Sequence, residues 1–201
     1  MFKVLVVACA ALLCAACSSS SKPTVALPAV GLVKMNPVET DRSAHGTLSF
    51  DARATLGNFV GSTDSVRGAM TGGSDLRAVR GWVEANVATL TTGDRKRDRD
   101  LRKSMEVERY PTMRFELAGV TSKSASGDSV PVQLHGALTI HGVTRDVVLP
   151  ATVVRRADQL DVRSDFRLNV KDYHVGGLTK MLGLLKMQEE IGVHIAVVFG
   201  R

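Results

Sequence analysis

The chain has 201 residues, of which 44% are hydrophobic and 23% are charged, and its formal net charge at pH 7 is +6. This length and composition are typical of one globular domain and exclude a fibrous or wholly disordered chain. The basic surplus suits anionic lipid surfaces or nucleic acid. The basic residues are dispersed except at Arg95-Lys96-Arg97, where acidic residues interleave. The export predicted from the N-terminus also argues against nucleic acid as a partner.

The N-terminus has the pattern of an export signal. Lys3 supplies a positive charge, and residues 4–16 form an unbroken apolar run. This run is too short to span a bilayer, which takes about 20 residues in a helix, but it has the length and order of a secretory signal. We therefore predict that residues 1–16 are a signal peptide and that the protein is exported.

The junction after the apolar run resembles a bacterial lipobox. Small residues, Ala15 and Ala16, directly precede Cys17, although Cys14 stands where leucine is usual. In such signals the cysteine is lipidated, with palmitate among its acyl groups, and becomes the mature N-terminus. The pattern predicts a membrane-anchored lipoprotein held through Cys17 at the periplasmic face of the cell envelope, and the alternative is a plain cleaved signal peptide.

All three cysteines lie at or before residue 17. The mature domain is therefore expected to have no disulfide, no thiol nucleophile and no thiolate metal site. Residues 17–30 are rich in Ser, Pro and Ala and show no periodicity, which predicts a flexible tether. Residues 31–201 then form one predicted domain.

The domain consists of short segments with strand patterns. In Thr47–Ala54, Phe50, Ala52 and Ala54 share one face, and polar residues share the other, which is the period-2 pattern of a half-buried strand. Turn residues separate further segments of this kind. The other predicted strands are Ser65–Met70, Gly81–Val87, Arg114–Leu117, Ala137–His141, Val147–Val154, Asp165–Val170 and Gly192–Phe199.

About eight alternating strands with one apolar face indicate an all-β, antiparallel protein, either a sandwich or a closed barrel. Two stretches fit a helix instead. Asp98–Glu108 is charged and lacks Gly and Pro, and Leu178–Glu190 carries apolar residues at helical spacing. The apolar residues of the second stretch suit a lid over one barrel end, a membrane-contacting surface or a plain cap.

Two motifs resemble those of YceI-like proteins. The first runs from Thr92-Gly93 through Arg97-Asp98 and Leu101-Arg102 to a tyrosine–proline that opens a strand, Tyr110–Phe115. The second is a strand, a histidine–glycine turn and the next strand, Gly136–Arg145. The order and spacing of the two motifs also fit, and the resemblance covers roughly Gly31 to Phe199.

The resemblance implies an eight-stranded antiparallel, lipocalin-like barrel with one or two short helices. It implies a long apolar cavity that holds an isoprenoid lipid, either a polyisoprenoid or an isoprenoid quinone, with no catalytic residues, no metal and no further cofactor. The protein would then be an envelope carrier or reservoir and not an enzyme. The alternatives are an envelope structural or stress-related barrel with a filled core, or an enzyme that acts on a small amphiphile; a homodimer stays open.

Twelve residues on apolar strand faces are candidates for the cavity wall. From periodicity alone they fit a filled core equally well, and the resemblance favours a cavity. Trp82 fits either face. The twelve candidates are Phe50, Ala52, Ala54, Val66, Phe115, Leu117, Leu138, Ile140, Phe166, Leu168, Val193 and Ile195.

Several patterns of chemical interest predict structural roles. His135 and His141 flank one strand and lie about 20 Å apart along an extended chain, too far to share a metal unaided. His141 is expected to fix the turn before Gly142, and Arg97-Asp98 to form an ion pair that holds a long connection against the barrel. The chain has no nucleophile elbow and no phosphate-cradling glycine loop.

Overall fold

The computed structural model describes residues 42–55, 57–72, 78–122, 129–176, 179–180 and 185–200, with side chains described outside 177–186. The predicted signal peptide (1–16), the tether (17–30), Cys17 and the predicted domain boundary at residue 31 lie outside the described residues. Within them, no helix is long and apolar enough to cross a membrane.

Eight antiparallel strands close into a barrel in the order β1-β10-β7-β6-β5-β4-β3-β2. This confirms the predicted fold, and each of the eight predicted strands lies at least partly within a barrel strand. The barrel strands are β1 Arg42–Ala52, β2 Phe59–Thr71, β3 Arg80–Asn86, β4 Thr112–Ser122, β5 Ser129–Ile140, β6 Val143–Arg156, β7 Gln159–Asn169 and β10 Glu190–Gly200. Closure pairs β1 with β10, from Ser43 opposite Gly200 to Asp51 opposite Gly192, so each barrel strand has a hydrogen-bonded neighbour on both sides.

The helix α1, Arg95–Ser104, lies in the connection between β3 and β4. It begins three residues before the predicted start because Asp94 caps it, accepting hydrogen bonds from the backbone amides of Lys96 and Arg97 at 2.8 and 2.9 Å. It ends before Glu106, which has a left-handed backbone (φ 44°).

The helix predicted over Leu178–Glu190 is wrong at the described positions. Thr179–Lys180 (β8) and Leu185–Lys186 (β9) pair as a small antiparallel hairpin. Met187 then bridges Ala54, and the amide of Gln188 donates to the carbonyl of Arg53 at 2.8 Å. These backbone groups are satisfied by the chain beyond β1, so tertiary pairing overrides the helical spacing of the apolar side chains.

The two signature motifs meet at one end of the barrel. His141 and Gly142 both have positive φ, 51° and 75°, which is the geometry of a two-residue type I′ hairpin turn. A Cβ at Gly142 would lie 2.4 Å from Cε1 of Tyr110, and the His141 ring contacts the Tyr110 ring edge-on at 4.6 Å. The turn therefore needs glycine because the tyrosine that opens β4 packs directly on it.

Strands β6 and β7 pair over a short stretch only, where Thr152–Arg156 of β6 lies opposite Gln159–Arg163 of β7. Beyond this point the Ser164 hydroxyl donates to the carbonyl of Pro150 at 2.7 Å. The short 3-10 helix Val170–Tyr173 packs against β6 further along, where Arg145 donates to the carbonyl of Asp172 at 2.7 Å. Tyr173 is 2% exposed, and burial raises the pKa of its phenol.

Candidate functional site

The barrel interior holds two adjoining chambers. The upper chamber lies at the end that carries α1 and the His141-Gly142 turn and has a volume of about 450 Å³. The lower chamber has a volume of about 490 Å³. Five residues border both chambers, and we call them the waist: Leu48, Met113, Leu138, Phe166 and Ile195.

The walls follow from strand alternation. Along β10, the odd-numbered residues from Ile191 to Phe199 line the chambers, whereas Gly192 and His194 between them do not. Successive side chains of a strand point to opposite faces, so one apolar residue in every two from each strand supplies the wall.

The lower chamber is almost wholly apolar. Its only polar wall residues within the described chain are Trp82, Arg114, Arg155 and Ser164, and the Ser164 hydroxyl already bonds to Pro150. Trp82 shares a face of β3 with Glu84, and the guanidinium of Arg114 lies 4.3 Å from its ring. Because Arg114 and Glu84 also form an ion pair at 3.5 Å, we assign the Trp82 ring to the outer face, at the edge of the chamber.

Polar groups of the upper chamber gather at its mouth. They come from the β1–β2 connection and from α1 and its cap: Thr55, Asp94, Lys96, Arg97, Asp100 and Ser104. Several of them are exposed, including Asp94 and Lys96, so the chamber opens to solvent here. The guanidinium of Arg97 lies 4.5 Å from the ring centre of Phe59 at this opening.

Asp98 anchors the helix that forms this mouth. Its carboxylate accepts hydrogen bonds from the Thr91 hydroxyl at 3.0 Å and from the Thr92 amide and hydroxyl at 2.7 and 2.6 Å. The bond from the Thr92 hydroxyl is the main reason that the pKa of Asp98 lies below its usual value. The predicted Arg97–Asp98 ion pair is therefore replaced by two separate contacts, since threonines hold Asp98 and Phe59 holds Arg97.

Eleven of the twelve predicted wall residues border the chambers. Ala52 does not, because it is 1% exposed and packs into the surrounding core. The upper chamber is bordered by Phe50, Ala54, Ile140, Leu168 and Val193, the lower by Val66, Phe115 and Leu117, and both by Leu138, Phe166 and Ile195.

Sequence reasoning missed wall residues of two kinds. Leu48 precedes Phe50 by two residues on β1, and Met113 precedes Phe115 by two on β4, so extending the alternation backwards would have found both. Leu101 and Met105 reach the upper chamber from the inner face of α1, and their i,i+4 spacing is the signal for a shared helix face.

The sequence profile of the YceI-like domain matches residues 40–199. The chain belongs to the YceI-like domain family. No curated protein matches the chain.

Solved structures share the fold of this YceI-like chain. Burkholderia cenocepacia BcnA is 15% identical, with 76% of this chain and 95% of that chain covered and a TM-score of 0.65. A polyisoprenoid binding domain from Saccharophagus degradans, implicated in plant cell wall breakdown, is 17% identical, with 79% and 97% covered and a TM-score of 0.65. The Campylobacter jejuni YCEI protein is 19% identical, with 70% and 84% covered and a TM-score of 0.56.

The described histidines of this YceI-like barrel do not border the chambers. His194 lies on the outer face, where Nδ1 is 2.5 Å from Asp165 and Nε2 is 2.9 Å from Asp51. The bonds to Asp165 and then to Asp51 raise the pKa of His194, and the bond to His194 lowers that of Asp51. In the described part of the chain, no three His, Cys, Asp or Glu side chains are placed to hold a metal ion.

Proposed function

We propose that this YceI-like protein binds an isoprenoid lipid, a polyisoprenoid or an isoprenoid quinone, and acts as a carrier or reservoir at the periplasmic face of the cell envelope. The observation that carries the proposal is the pair of apolar chambers that meet at the waist inside a closed barrel. The polar groups of the upper chamber lie at its mouth, where a lipid head group would contact water and the residues of α1.

The chambers suit a long, flexible ligand of low polarity. The interior of an eight-stranded barrel is just wide enough to hold one small ligand. Each CH₂ group removed from water contributes about 0.8 kcal/mol, so an isoprenoid tail gains affinity from length alone and needs no specific polar partner. The Saccharophagus degradans domain, which has the same fold and is named as polyisoprenoid-binding, supports this ligand class.

The chambers argue against the alternatives. A structural barrel with a filled core would leave no volume of this size at its centre. The Asp51–His194–Asp165 contacts lie on the outer face, and the carboxylates that border the upper chamber, Asp94 and Asp100, come from the helix cap and helix at the mouth. Of the described groups, none forms an acid–base pair inside the chambers, which supports binding over catalysis.

We further propose that Cys17 carries the lipid anchor that holds this carrier at the membrane. Supply of radiolabelled palmitate to cells that express the full chain should label the wild type. The Cys17→Ser variant should stay unlabelled and should also keep the signal peptide. Equal labelling of the two proteins would refute the anchor without affecting the cavity.

The test of the ligand is direct. The full chain is purified from its native envelope, extracted with organic solvent and analysed by mass spectrometry, with bulk lipid from the same membranes as the control. One isoprenoid lipid per protein, enriched over the bulk lipid, is expected. An extract that is empty, or that matches bulk phospholipid, would overturn the proposal.

A further inference from the structure

The exposed face of α1 carries an uninterrupted group of cations. Arg95, Lys96, Arg99 and Lys103 are all exposed, and at 3.6 residues per turn they fall within an arc of about 100°. The opposite face is buried through Asp98 and Met105. We call these four cations the cationic face.

The cationic face is not neutralised within the described structure. Arg67, Arg114, Arg156 and Arg167 all form ion pairs with carboxylates, whereas no described carboxylate pairs with any member of the cationic face. Two of its like-charge pairs, Arg95–Arg99 and Arg99–Lys103, have the i,i+4 spacing that destabilises a helix. Cations in the first turn also oppose the positive end of the helix dipole.

The same helix forms the mouth of the upper chamber. Lys96 belongs to the cationic face and also borders the chamber, next to Arg97 and Leu101. A long isoprenoid tail is insoluble in water and so must enter the chamber from a bilayer. Lys96 and Arg97 border the mouth together with the carboxylates Asp94 and Asp100. The other three cations of the cationic face lie beside it on α1, and none of the four pairs with a described carboxylate. This end of the barrel is therefore suited to a bilayer with anionic head groups, which attract basic residues within about a Debye length.

We propose that the cationic face docks the barrel onto an anionic phospholipid bilayer, with the mouth of the upper chamber turned to the membrane surface. This inference rests on the proposed lipid-carrier function and adds the route by which the lipid enters and leaves. Docking removes the unfavourable charge repulsion along α1 and places Lys96 and Arg97 beside lipid head groups.

The test measures partition of the full chain onto phosphatidylcholine vesicles with and without phosphatidylglycerol. Arg99→Glu changes the charge by two at the centre of the cationic face. It should lower partition onto the anionic vesicles about 25-fold, because each charge contributes about 5-fold near such a surface. Arg163→Glu makes the same change on the exposed side of β7 beside the lower chamber, and it should leave partition close to the wild-type value.

Residues 1–41 are the same in every variant, so any membrane affinity of that segment is common to all of them. An arginine-reactive dicarbonyl gives a second readout that does not depend on total binding. Anionic vesicles should protect Arg95 and Arg99 from modification, relative to Arg163, and neutral vesicles should not. Equal partition of the two variants combined with equal modification of the three arginines would overturn the docking face.

The outcome is separable from that of the ligand test. A protein that yields isoprenoid lipid on extraction but shows no cationic-face docking keeps the proposed function and loses this inference. A protein that docks through the cationic face and yields no isoprenoid lipid loses the proposed function. If Arg99→Glu weakened binding to a soluble acidic protein but left binding to vesicles unchanged, the cationic face would be assigned to a protein partner and the membrane proposal would be overturned.

Discussion

The Asp98 carboxylate accepts hydrogen bonds from both the backbone amide and the hydroxyl of Thr92. The neighbouring Thr91 exchanges two backbone hydrogen bonds with Ser62 of β2, at 2.9 and 3.0 Å. Asp98 therefore ties α1 to a segment that is itself paired with the barrel, and this tie positions the mouth of the upper chamber.

The Asp98→Ala variant should be less stable than the wild type, because it leaves the Thr91 and Thr92 donors without their carboxylate partner. The pKa of Asp98 is lowered in the fold, so its contribution is present above the unfolded pKa of about 3.9 and is lost as the pH falls through the folded value. Urea unfolding at neutral and acidic pH measures both effects. Asp146→Ala, on the exposed side of β6, is the control, and equal midpoints for the two variants at neutral pH would contradict the role of Asp98.

Two glycines on β4 and β5 should respond oppositely to alanine. A Cβ at Gly136 would lie 2.2 Å from the carbonyl oxygen of Glu116 and 2.7 Å from the Phe115 ring, whereas a Cβ at Gly119 would meet nothing within 4 Å. Gly136→Ala should cost about 1–3 kcal/mol through overpacking. Gly119→Ala should be neutral or slightly stabilising. Equal unfolding free energies for the two variants would contradict this prediction, because they would show that the backbone and the Phe115 ring move to accommodate a Cβ at Gly136.

The strand pattern made an antiparallel all-β fold predictable, because inward and outward residues alternate and the sequence records that alternation directly. Phe50, Ile140 and Val193 all lie on the chamber wall for this reason. The choice of a barrel over a sandwich came from the family resemblance. The helix predicted over Leu178–Glu190 failed because its apolar spacing does not reveal that the backbone at Met187 and Gln188 pairs with the chain beyond β1. Local spacing cannot encode a partner more than a hundred residues away.

The division of the cavity into two chambers also could not be predicted from the sequence. Leu138, Phe166 and Ile195 were predicted as wall residues, yet only their convergence from three different strands makes them a waist. The partners of Asp98 were not predicted for a related reason. The adjacent Arg97 suggested an ion pair, but in the helix Asp98 bonds to Thr91 and Thr92, and Arg97 lies against Phe59.

Stability should depend on pH through His194. Its pKa is raised by Asp165 and Asp51, so its contribution is fully present below the unfolded pKa of about 6.5 and is lost as the pH rises through the folded value. The wild type should exceed His194→Gln in unfolding free energy at about pH 5.5, by at most about 1 kcal/mol because the pair is half-exposed. The difference should vanish at high pH.

The His45→Gln variant is the control for this measurement, because His45 lies exposed on β1 with no carboxylate partner among the described residues. It should show no comparable pH dependence. A His194→Gln deficit that grows as the pH rises would contradict the assigned contacts, since deprotonation removes the charge that both carboxylates bind.

The waist should set how far a bound tail reaches. Leu138 borders both chambers and is 8% exposed, so Leu138→Phe adds volume where the two chambers meet and should exclude long tails from the lower chamber. The expected result is a shift of the extracted lipid to shorter isoprenoids, or a loss of the longest, measured by mass spectrometry. Overpacking at this site should also cost about 1–3 kcal/mol, so thermal unfolding must show that the variant is folded at the temperature of purification.

The matched control is Thr139→Phe, which adds a phenyl ring at the next residue of β5, on the opposite face, where Thr139 bonds to Thr144 at 2.8 Å. Because successive residues of a strand face opposite sides of the sheet, this variant should carry the same lipids as the wild type. If folded Leu138→Phe and Thr139→Phe proteins carry tails of the same length, the ligand occupies only the upper chamber and the waist has no part in selecting it.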